Sequence, residues 1–113
     1  MAFSSLNKTE KETVHQCLEV ILNGGYIDDW EFSTRLGFDR ESLKQILSLW
    51  PQLDDSADGL VRLAINNCMN EVCHGIDILP VDWKTRFTVS RDDVKATYFK
   101  WAKLAGYSSS GIQ

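Results

Sequence analysis

Phe32-Ser-Thr-Arg-Leu-Gly-Phe-Asp-Arg-Glu-Ser-Leu-Lys-Gln-Ile-Leu47 returns 51 residues later as Trp83-Lys-Thr-Arg-Phe-Thr-Val-Ser-Arg-Asp-Asp-Val-Lys-Ala-Thr-Tyr98. Extended outward without a gap, the same shift sets Cys17 on Cys68, Gly24 on Gly75, Ile27 on Ile78, Trp50 on Trp101 and Leu53 on Leu104. Nine identities fall within 37 positions, where ordinary residue usage gives about two. Near matches agree in chemistry, as in Leu18/Met69, Glu31/Asp82 and Leu43/Val94. The chain therefore reads as an internal repeat.

Each copy predicts three helices. Thr9 with Glu12 reads as a capping box, followed by one apolar stripe of Val14, Cys17, Leu18, Ile21 and Leu22 that ends at Gly24-Gly25. A short helix after Asp28 stops at Gly37. Asp39 caps a third, which carries Leu43, Ile46, Leu47 and Trp50 inward as far as Pro51. In the second copy a long helix starts near Ala57, Pro80 opens the short one and Ser90 caps the last. The expected fold is all-α: two tandem three-helix repeats, residues 9–53 and 60–104, with helix-turn-helix-like corners and with Trp50 and Trp101 in equivalent places. They form one helical domain over residues 1–113, and the Ser/Gly-rich tail 107–113 is expected to fray.

Composition excludes several classes. No long apolar run suggests a signal peptide or a membrane span, so no membrane partner is expected. Three cysteines without CxxC spacing argue against a disulfide framework and fit a reducing, cytoplasmic setting. Net charge is −4, which counts against nucleic acid as the partner. The charge is uneven: residues 26–60 hold eight acids against three bases, and residues 84–103 hold six bases against two acids.

No catalytic, cofactor or metal site is expected. Cys73 and His74 are adjacent, and neighbours on a helix point about 100° apart, so they cannot pair as nucleophile and base. Two features suit partner binding instead. Asp28, Asp29, Trp30 and Glu31, with Asp39, Glu41, Asp54 and Asp55, form an acidic stretch with an interleaved aromatic, a pattern that suits electrostatic steering and an anchor. Asn66, Asn70 and His74 lie four apart, an uncharged polar stripe fit for a partner or for bonds between helices. The plainer reading of both is a solvated face. Glu31–Arg35 and Asp82–Arg86 are i,i+4 pairs suited to structural salt links.

At Asn70-Glu-Val-Cys-His-Gly-Ile76 and Phe32-x-Thr-Arg-Leu-Gly-x-x-Arg-Glu41 the chain resembles small bacterial helical proteins encoded beside toxins, immunity proteins of the contact-dependent growth-inhibition kind. The resemblance implies a cytosolic, non-enzymatic protein that binds one toxin domain, often a basic nuclease, and blocks its active site. It carries over no functional residue. The alternative is a helix-turn-helix regulator that sets Arg91 and Lys95 of the second copy against DNA phosphates.

Overall fold

The structure, a computed structural model, describes residues 2–107; the tail expected to fray lies almost wholly outside them. Among the described residues there are six α-helices and no strand: α1 Lys8–Asn23, α2 Asp29–Leu36, α3 Arg40–Ser48, α4 Leu60–Asn70, α5 Pro80–Arg86 and α6 Arg91–Leu104. A 3-10 turn, Phe3–Ser5, precedes α1, and a π turn, Glu71–Gly75, extends α4. The all-α expectation holds.

The helix starts follow local chemistry. Asn7, not Thr9, caps α1: its side chain accepts from the Glu10 N–H at 2.8 Å and the Glu10 carboxylate accepts from the Asn7 N–H at 2.8 Å. Asparagine is the stronger cap, and it lengthens the helix by about half a turn at its start. Asp39 caps α3 and Ser90 caps α6, as expected. Pro80 is the first residue of α5, where its missing N–H costs nothing. The second long helix starts at Leu60 rather than Ala57. Gly37 ends α2 with φ +82°, a left-handed conformation that suits glycine. In the second half the chain leaves α5 through extended backbone at Phe87 instead, so Thr88 needs no such freedom.

α1 packs against α4 at the centre, α3 lies on α1, and α6 touches both long helices. Val14, Cys17, Leu18 and Ile21 of α1 and Ala64, Ile65, Cys68 and Met69 of α4 are buried. Each buried Val, Leu, Ile or Met among them contributes roughly 1.5–3 kcal/mol when withdrawn from water. Contacts recur at the 51-residue spacing. Arg40 lies over the Phe32 ring at 4.4 Å and donates to Ile27 O; Arg91 lies over the Trp83 ring at 4.4 Å and donates to Ile78 O. Gln16 bonds Thr88 across the halves, and Asn67, which answers Gln16, donates to Leu36 O just before Gly37, which answers Thr88. Both bonds tie a long helix of one half to the corner of the other.

The third helices differ, and with them the two tryptophans. α3 stops at Ser48, because the residue before a proline is pushed out of the helical region. Trp50 is left half-buried beyond it, against Phe3 and His15. Trp101 sits inside α6 with no proline after it and is fully buried. Equivalence of Trp50 and Trp101 therefore does not extend to burial.

Candidate functional site

Asp28, Asp29, Trp30 and Glu31 stand at the start of α2, at the C-terminal end of α1. Trp30 is 77% exposed, the most exposed of the large apolar side chains among the described residues. The helix turns it away from buried Phe32 and Leu36. Asp29 pairs with Arg40 at 2.8 Å yet stays 90% exposed, and Asp28 is exposed. Glu31 is half-buried and lies 3.7 Å from Arg35, which also pairs with Glu71 of the π turn. The expected i,i+4 link is thus one arm of a bridge from α2 to α4.

The two linker acids do not join this cluster. Asp55 is 1% exposed and is not a surface residue at all. Its carboxylate accepts from the Phe3 N–H at 3.0 and 3.2 Å and from the Trp101 indole N–H at 2.7 Å. It belongs to the partner-binding set only in the sequence; two buried donors, one of them shared between both carboxylate oxygens, hold it inside. Asp54 beside it is exposed and folds onto Ser56, whose hydroxyl and N–H hold its carboxyl below the usual range. Asp39 is likewise held low by Ser42, as a helix cap. Glu41 is exposed on the first turn of α3. Asp54 and Asp55 lie by Phe3, at the opposite end of α1 from Trp30, and a helix of that length spans roughly 24 Å.

The amide stripe divides as well. Asn66 accepts from the Tyr98 hydroxyl at 2.7 Å and donates to Asn67, which reaches α2. These two bind helices to helices. Asn70 is half-buried, and His74 is exposed at the end of the π turn. Cys73 is half-buried, and burial pushes its thiol up to about 11, the reverse of an activated nucleophile. Cys17 and Cys68 are buried, and all three cysteines are free thiols. Among the described residues no three His, Cys, Asp or Glu side chains could hold a metal ion. No helix there is long and apolar enough to cross a membrane.

Sequence reasoning missed Leu79 and Val81, which are 57% and 68% exposed at the start of α5. The signal was present: shifted by 51, they answer Asp28 and Trp30.

No family model, curated protein or solved structure matches this chain. The chain's own geometry defines its class: an all-helical protein with an exposed, acid-flanked tryptophan on a short helix.

Proposed function

We propose that this is a non-enzymatic protein-binding module, a cytoplasmic immunity protein that neutralises a basic toxin domain, such as a nuclease, by covering its active site. The observation that carries the reading is Trp30, exposed among Asp28, Asp29 and Glu31. A large aromatic left in water at the centre of a charged cluster is the composition of an interface anchor. The carboxylates would stand in for a nucleic-acid backbone and steer the encounter.

The regulator reading is disfavoured by Arg40 and Arg91. Each occupies the first position of a would-be recognition helix, and each turns its guanidinium back onto a ring and a carbonyl of its own half. Groups so engaged are not offered to phosphates.

Association kinetics with the toxin domain encoded by the adjacent gene test the proposal. Steering charges act on association and are screened beyond about 8 Å at physiological salt. Asp28→Lys/Asp29→Lys/Glu31→Lys is expected to slow association and flatten its salt dependence. Trp30→Ala is expected to speed dissociation by an amount worth about 2 kcal/mol. Wild-type binding to random duplex DNA at low salt, weakened by Arg91→Ala, would overturn the proposal in favour of the regulator.

A further inference from the structure

The two halves turn their corners at the same end of the molecule. After α1 comes Tyr26, whose hydroxyl donates to Asp82 Oδ2 of α5 at 2.7 Å. The Asp82 bond, with Asp77 also close enough to act, holds the Tyr26 phenol above its usual range. In return α2 reaches the turn after α4: Arg35 pairs with Glu71, and a methyl built on Gly75 would lie 3.3 Å from the Arg35 guanidinium. Tyr26, just before α2, therefore borders the segment 77–82. Trp30, Leu79 and Val81 all stand exposed there, and Asp28, Asp29 and Asp77 are exposed with them.

We infer that Leu79 and Val81 join Trp30 in one docking surface, built from both halves of the chain, for a basic protein surface with an apolar recess. This rests on the partner-binding reading above and names the face that performs it. Charge complementarity selects the occupant. Interfaces place apolar side chains at the centre and polar ones at the rim. Here the rim is Asp28, Asp29 and Asp77, while Arg35 is committed to Glu31 and Glu71. A second copy of this face would bring its own carboxylates against these, and an anionic membrane would repel them; a cationic protein gains from both the acids and the apolar centre. Among the described residues Arg86 is the one base near enough to act on Tyr26, against Asp28, Asp29 and Asp77, so the face stays net acidic; Lys84 lies further along α5.

The test measures dissociation of the toxin domain encoded by the adjacent gene, used as a purified probe. Leu79→Ser/Val81→Ser leaves net charge unchanged and alters only exposed side chains, and thermal melting checks that the fold is kept. The double variant is expected to dissociate at least about tenfold faster, with association little changed. Leu104→Ser is the control: Leu104 is 50% exposed but lies beside Ala2, Ser5 and Asp55, at the other end of the molecule, and it is expected to dissociate as wild type does. If the double variant dissociates like wild type while Trp30→Ala dissociates faster, the inference is overturned and the partner-binding reading stands. A Leu104→Ser loss as large as the double variant's would overturn the inference too. If wild type does not bind the probe, both fall together.

Discussion

Asp55 shows how far one residue can depart from its local reading. In the sequence it is one more acid in a turn-rich linker. In the fold its carboxylate joins the Phe3 amide, 52 positions away, to the Trp101 indole, 46 positions away. Removing it strands two buried donors, and each unsatisfied buried group costs roughly 1–3 kcal/mol. Asp55→Ala is expected to lower stability by about 3 kcal/mol in urea unfolding. Asp55→Asn is expected to lose less, because the amide oxygen still accepts. An Asp55→Ala protein as stable as wild type would show that the carboxylate is dispensable. Asp39, Ser90 and Pro80 were legible because a cap acts over three residues. Asp55 was not, since nothing local marks a side chain whose partners come from both ends of the chain.

At the scale of elements, each half fastens its third helix to the turn before its second. Arg40 and Arg91 do this by the same device, a guanidinium over an aromatic ring and a bond to an isoleucine carbonyl. An arginine so placed contributes through its packed stem as well as through its charge. Arg40→Ala and Arg91→Ala are each expected to cost about 1–2 kcal/mol, read as a lower urea midpoint. Unchanged midpoints would show that these contacts carry no stability. The 51-residue shift aligned these two arginines in the sequence, yet the only role the sequence offered Arg91 was a phosphate contact in the regulator alternative. Sequence spacing places a residue on a helix; it does not say whether a long side chain turns outward or folds back. The end of α3 was missed for a smaller reason, the reach of Pro51 back along the chain.

For the molecule as a whole, burial collects protons that an unfolded chain would release. Cys17 and Cys68 are raised by burial, Cys73 is pushed up to about 11 and Tyr98 to about 12. The folded state holds these protons at pH values where the unfolded state has begun to lose them, from about pH 8.5 for thiols and about 10 for tyrosine. Their stabilising contribution is therefore complete below about pH 8.5 and falls as pH rises through the folded values. The urea midpoint is expected to drop between pH 7.5 and pH 10.5; a midpoint that rises over that interval would contradict the assignment. Helix number, order and polarity pattern were legible because each helix announces itself in its own segment. How the halves interlock was not, and with it went the placement of the acids at two ends.

That interlocking also bears on how the protein comes into being. Glu10 waits for Lys100, Gln16 for Thr88, and the Asp55 carboxylate for the Trp101 indole. Synthesised from N- to C-terminus, the first half leaves the ribosome before these later partners are free to pack against it. Until α4 and α6 emerge, the stripe of α1 that they cover stays in water, so a nascent first half is an exposed intermediate and not a finished unit. The two halves that align in the sequence are, during synthesis, one object that is not packed until α6 emerges.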